Sequence, residues 1–213
     1  MGEEKAQKRP LFIVIEGVDG SGKSTQIELL KTRLNNRGHK AYITHEPTDS
    51  PIGAVIRNIM KGRIQTSPSA IAALFAADRL DHIYNDVNGM KKKRDKEGYH
   101  IIASRYYFSS YAFQGEYVDV DWIVHLNAMA KKQFPADITI YLDVDPETCY
   151  ERITNHRSDI EIYETKEKIK KVHQAYLKYF REFDQGENIV LINGNQSIEA
   201  IEKDIWTVIA PLL

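Results

Sequence analysis

The run that most limits what this chain can fold into is residues 17–24, Gly-Val-Asp-Gly-Ser-Gly-Lys-Ser. It lies between an apolar, β-branched stretch and a helix-like one, and it has the spacing G-x-x-x-x-G-K-[ST]. Each fixed position meets a separate physical need. Gly17, Gly20 and Gly22 allow backbone angles and a close approach that a Cβ would block. Consecutive peptide N–H groups through Val18, Asp19, Ser21 and Thr25, with a helix start near Lys23, point at anionic oxygens. The Lys23 ammonium reaches the β- and γ-phosphates, and the Ser24 hydroxyl is placed to ligate Mg²⁺, with Asp19 as a second candidate metal ligand. The expectation is a loop that holds the phosphates of ATP or GTP.

The rest of the chain sets bounds on that site. Its 213 residues suffice for one domain with a sizeable core. Lys+Arg 29 against Asp+Glu 30 leaves a formal net charge of −1, so a broad basic surface for nucleic acid is not expected. The run 91–94 (KKKR) is followed directly by Asp95 and Glu97, which reads as a solvated helix end. Cys149 is the single cysteine, which rules out an intrachain disulfide and a cysteine metal cage. The first ten residues are charged and lack an apolar signal core. No stretch approaches the ~20 apolar residues that span a bilayer. A cytoplasmic protein without membrane contact is expected.

Five short apolar runs read as parallel strands: residues 11–16, 41–45, 100–104, 137–143 and 188–193. Helical patterns occupy 24–37, 69–85 and 120–133, and a charged helical region covers 147–182 with a break near 156–159. Gly38 stands where a helix ends in the left-handed conformation. The organisation is one α/β domain over 1–213, with 1–10 as a flexible tail and a five-stranded parallel sheet flanked by helices in three layers. Ligands in such sheets collect beyond the carboxyl ends of the strands, so Asp19, Glu46, Arg105 and residues 143–145 are expected along one crevice edge.

A phosphate loop does not say where the phosphoryl group goes. A GTPase sends it to water, but the guanine-reading Asn-Lys-x-Asp motif is absent. Other segments resemble thymidylate kinase, the P-loop family that phosphorylates dTMP. They are Glu46-Pro47-Thr48 with Pro51-Ile52-Gly53; Leu74-Phe75-Ala76-Ala77-Asp78-Arg79; residues 105–115 (RYYFSSYAFQG); and Tyr141-Leu142-Asp143-Val144-Asp145-Pro146-Glu147. With the phosphate loop they run in family order from about residue 11 to 195.

The resemblance implies a P-loop kinase fold with a helical lid at 150–164, ATP as donor, Mg²⁺ and a homodimer. It also implies an acceptor site for dTMP. Pro47, Phe75, Ser109, Ser110 and Gln114 belong to the segments that surround the acceptor, Phe75 stacks on the base, and Phe113 crowds the sugar 2′ position. Guanidinium groups suit an acceptor phosphate because their paired donors match its oxygens. Arg57, Arg79 and Arg105 are the candidates, with Asp19 beside them. Asn195 falls in the loop that contacts adenine in the family.

Some relatives carry a catalytic cation in the phosphate loop itself. Gly20 occupies that position here, so Arg152 and Arg157 in the lid region are expected to supply it, and 163–164 (Tyr-Glu) resembles the family's lid end. Ser104 stands where the family usually has Asp. Three readings follow: its task has moved to Asp19 or Glu46, the residue has been substituted deliberately, or the chain is a nucleotide-binding regulator with weak catalysis. A kinase for another nucleotide or nucleoside is a further alternative.

Overall fold

The five β-branched runs form strands because residues of this kind pack well on a pleated surface covered on both sides. In the computed structural model, which describes residues 9–156, 165–184 and 186–213, they are β1 (Phe12–Glu16), β2 (Ala41–His45), β3 (His100–Ser104), β4 (Ile138–Asp143) and β5 (Ile189–Asn193). All pair in parallel in the order β2-β3-β1-β4-β5. Val14 lies opposite Ala103 on one side and Thr139 on the other. Parallel neighbours need crossovers, and helices supply them.

The period of two along β1 divides the core. Phe12 and Val14 face one cluster, with Ile123, Phe134, Ile153, Val172 and Tyr176. Ile13 and Ile15 face the other, with Ile27, Leu30, Ile201 and Ile205. On that second side lie α1 (Lys23–Asn36) and α9 (Ile198–Ile209). The first side carries α3 (Pro68–Tyr84), α5 (Tyr107–Gln114), α6 (Val120–Gln133), α7 (Pro146–His156) and α8 (Lys166–Glu182). The expected α/β architecture is therefore present, and Gly38 adopts φ 84 after α1.

Three helices lie outside the expected helical patterns. Ser50 caps α2 (Pro51–Met60) by accepting the Gly53 N–H (3.1 Å), and Pro51 opens it, which is a strong local start. Helix α5 is buried on nearly every side, so its sequence shows no amphipathic period. Helix α9 begins at the Ser197 cap. The basic run sits in α4 (Met90–Asp95), where Lys91 pairs with Asp95 (3.1 Å) and Lys93 with Glu97 (2.9 Å). Among the described residues no helix is long and apolar enough to cross a membrane.

Candidate active site

Because every strand runs the same way, Glu16, Glu46, Ser104, Asp143 and Asn193 end on one edge of the sheet. The phosphate loop leaves β1 at that edge and enters α1 through Gly22, a left-handed N-cap with no side-chain cap bond. Lys23 folds back to donate to the carbonyls of Gly17 (2.9 Å) and Val18 (2.8 Å). Burial, helped by the Arg105 charge, pushes its ammonium down to about 7. The Ser24 and Thr25 side chains are exposed at the first turn, while the Ser21 hydroxyl is buried without a protein partner.

Gly20 has a steric reason to remain glycine. A Cβ there would come within 2.3 Å of the Cys149 carbonyl oxygen, and its φ is +78°. The backbone of α7 thus rests directly on the loop. From the same helix Arg152 donates to the Gly20 carbonyl (3.3 Å), which brings a guanidinium to the position that lacks a cation of its own. Arg157 and residues 163–164 lie outside the described residues.

Beside the loop, Arg105 follows β3 with φ +72°. Its Nη2 donates to Asp19 Oδ1 (2.7 Å), and its Nη1 donates to Tyr176 Oη (3.2 Å) and Ser109 Oγ (3.3 Å). The guanidinium carbon lies 4.7 Å from the Phe113 ring centroid. Burial opposes its charge, but Asp19, Tyr176 and Glu16 more than offset this and raise its pKa. Beneath it the fully buried Glu16 carboxylate accepts from the Tyr106 N–H (2.8 Å), the Ser109 N–H (3.2 Å), Ser109 Oγ (2.7 Å) and Tyr176 Oη (2.9 Å). Burial raises the Glu16 pKa against the lowering pull of Arg105 and these bonds. Gln114, one turn beyond Ser110, is buried with its Oε1 unpartnered.

A second cluster centres on Arg79. It donates through Nε (2.9 Å) and Nη2 (2.6 Å) to Glu46 Oε2, through Nη2 to the Tyr106 carbonyl (3.0 Å), and through Nη1 to Ser110 Oγ (3.1 Å) and Asn127 Oδ1. All five of its donors are engaged, so a direct contact to a base requires exchange of one of these bonds. His82 Nδ1 lies 3.1 Å from the second Glu46 oxygen. The adjoining Asp78 takes the Thr48 N–H (2.8 Å) and the hydroxyls of Thr48 (2.6 Å) and Ser50 (3.0 Å), fixing the segment after Pro47.

Arg57 on α2 donates to the carbonyls of Pro47 (3.3 Å) and Thr48, with Asp49 at 3.6 Å. Half-buried Phe75 packs with Ile56, Ile59, Met60 and Ile71 where α2 meets α3. At the far end of the edge, Asn195 Oδ1 accepts the Asp145 N–H (3.0 Å), and His173 Nε2 lies 2.6 Å from Asp143 Oδ1.

The structure therefore joins Asp19, Lys23, Arg105, Ser109 and Phe113 in one group, Arg79 and Ser110 in a second, and Pro47 and Arg57 in a third, while Phe75 sits in the apolar seam of α2 and α3. Sequence reasoning missed Glu16, Asn127 and Tyr176. Only Glu16 carried a signal, as an acid ending an otherwise apolar strand. Ser104 contributes its carbonyl, which accepts the Glu46 N–H (3.1 Å).

Comparison with known proteins gives the chain's family. The thymidylate kinase family model matches residues 15–205. A probable thymidylate kinase of Caldivirga maquilingensis is 39% identical over 202 residues, covering 93% of each chain. That of Thermococcus kodakarensis is 35% identical, covering 95% of this chain and 98% of its own. That of Methanocaldococcus jannaschii is 36% identical, covering 92% and 93%.

Proposed function

The chain belongs to the thymidylate kinase family, and from that premise we infer that it transfers the γ-phosphoryl group of ATP to dTMP, giving ADP and dTDP for dTTP biosynthesis. The observation that carries this reading is the junction of the phosphate loop with Arg105 through Asp19 (2.7 Å), since donor and acceptor phosphates must meet at one edge. Phosphoryl transfer requires positioning and neutralisation of charge more than covalent participation by the protein. The peptide groups from Gly17 to Thr25 hold the donor phosphates. Lys23 exchanges its two loop carbonyls for phosphate oxygens, and Arg152 and Arg157 bring positive charge over the transferring group.

Asn195 borders the donor base. Arg105, with Arg57, takes the acceptor phosphate, and Asp19 hands Arg105 over as it binds. Phe75, Pro47, Ser109 and Ser110 enclose the thymine, Phe113 crowds the 2′ position, and buried Gln114 supports that wall. Arg79 sets Ser110 in place and meets the base only by giving up one of its present bonds.

Mg²⁺ suits the residues present. Ser24 offers a hard oxygen at the exposed first turn of α1, and Asp19 lies in the same loop. Among the described residues no group of three or more His, Cys, Asp or Glu could hold a metal. Mg²⁺ held largely by phosphates and water needs only one or two protein oxygens. When bound it would supply positive charge that offsets the charge of the donor phosphates. Cytoplasmic location and a homodimer complete the reading; the latter is supported by Tyr84 on α3 and Trp122 and Met129 on α6, which are apolar and exposed.

A coupled assay of ADP formation from MgATP with dTMP, dUMP, dGMP, UMP and thymidine in parallel tests the assignment. Strong preference for dTMP is expected. Preference for another acceptor, or nucleotide binding without acceptor-dependent ADP, would overturn it.

A further inference from the structure

Tyr176 stands in α8, ten residues after that helix begins and 71 residues after Arg105 in the chain, yet its hydroxyl lies between the Arg105 guanidinium and the Glu16 carboxylate. The direction of these bonds is fixed by chemistry. Arginine can only donate, so the phenol oxygen accepts from Arg105, and its own proton goes to Glu16 Oε2 (2.9 Å) directly or to Ser109 Oγ (2.7 Å), which donates to Glu16 (2.7 Å). Such a one-way chain in a low-dielectric interior polarises and orders its members.

We propose that Tyr176 is a positioning residue for Arg105, with Glu16 as its anchor: the buried hydroxyl sets the guanidinium at the phosphate edge and ties that setting to the seat of helix α8. The proposal rests on the assignment of Arg105 to the acceptor phosphate made above.

Three features separate this role from ordinary core packing. First, the Tyr176 side chain is fully buried among Tyr141 (5.0 Å between centroids), Phe180 (5.6 Å) and Phe113 (6.2 Å), a place where phenylalanine would pack without a hydroxyl to desolvate. Second, Arg105 is the single non-glycine residue with positive φ among the described residues, so its backbone persists only where its surroundings over-determine it. Glu16 does so on the backbone side through the Tyr106 and Ser109 N–H groups, while Tyr176 and Ser109 do so on the side chain. Third, the guanidinium is held at both terminal nitrogens and on one face, by Asp19, by the Tyr176–Ser109 pair and by Phe113. Release of Asp19 leaves Nη2 for an incoming anion while Tyr176 keeps Nη1 in register.

The test is Tyr176→Phe in the full chain, assayed beside the wild type for kcat, the KM of dTMP and of ATP, and inhibition by thymidine, which has the base and sugar but no phosphate. The expected result is a dTMP KM raised about tenfold or more, with the ATP KM and the thymidine inhibition constant each within about twofold of wild type. Unchanged dTMP kinetics would overturn the proposal. So would parallel weakening of dTMP and thymidine, because that reports a distorted pocket. Glu16→Gln, which preserves shape but replaces one of the two accepting oxygens with a donating NH2, is expected to give the same phosphate-selective loss, and its failure to do so counts equally against the proposal. A wild-type chain without dTMP-dependent ADP would instead defeat the functional reading on which this rests.

Discussion

Arg79 and Arg105 both belong to segments that resemble the family's acceptor side, but their surroundings differ in kind. The Arg79 side chain is 1% exposed, paired with a Glu46 side chain at 2%, and every donor it has is committed. The Arg105 side chain is 14% exposed, and its ion-pair partner Asp19 is 31% exposed at the mouth of the phosphate loop. A guanidinium with all five donors engaged in the interior holds helices together. One whose carboxylate partner faces solvent can trade that partner for a phosphate. On the proposed reading the same chemical group is frame in one region and reagent in the other.

The contrast breaks most visibly in turnover. Arg105→Ala is expected to lower kcat/KM for dTMP by about a thousandfold or more, while the melting temperature of the free protein falls by no more than about 3 °C. Steady-state kinetics beside a thermal melt checks both halves. In the frame, Arg79→Met or Glu46→Gln alone is expected to cost about 3–5 kcal/mol in chemical denaturation, because each strands a buried partner. The double variant should cost less than the sum, and strict additivity would show that the pair is not a unit.

The titratable groups sharpen the same division. Lys23, pushed down to about 7 by burial, is partly neutral in the free protein above that pH, and donor phosphates favour its charged form. ATP binding at pH 8 should therefore take up a large fraction of a proton, read by calorimetry in buffers of different ionisation enthalpy. No uptake would contradict the placement of Lys23. His100 belongs to the frame at the opposite end of β3, where its Nδ1 accepts the Leu11 N–H (3.1 Å). Burial lowers its pKa to about 4, with His39 adding to the effect. A depressed histidine binds fewer protons folded than unfolded, so its contribution is present above about pH 6.5 and is lost as pH falls toward about 4. At ~1.4 kcal/mol per pKa unit the expected loss is about 3 kcal/mol by denaturation across that window, and His100→Asn should flatten it.

What the sequence made legible was local. The β-branched runs matched the strands to within one residue because burial on both faces leaves its mark in composition, and the phosphate loop was readable because its glycines, lysine and serine are contiguous. What was not legible depends on distant residues meeting. Nothing near Tyr176 announces Glu16, 160 residues earlier. Nothing near Arg79 shows that Asn127 on α6 takes one of its donors and so helps to brace it in the interior. Helix α5 escaped notice because a helix buried all round has no polar face to give it a period.

The division between frame and reagent is tested most directly by one thermal-shift series on the wild type, Arg79→Lys and Arg105→Lys, each with and without saturating dTMP. Ligand that binds only the folded state raises the melting temperature, so each protein reports its stability and its acceptor binding in one trace. The account predicts that Arg79→Lys melts about 10 °C or more below the wild type yet still rises with dTMP. Arg105→Lys should melt near the wild type and lose most of that rise. An Arg105→Lys protein that falls as far as Arg79→Lys while keeping its full dTMP shift would contradict the account.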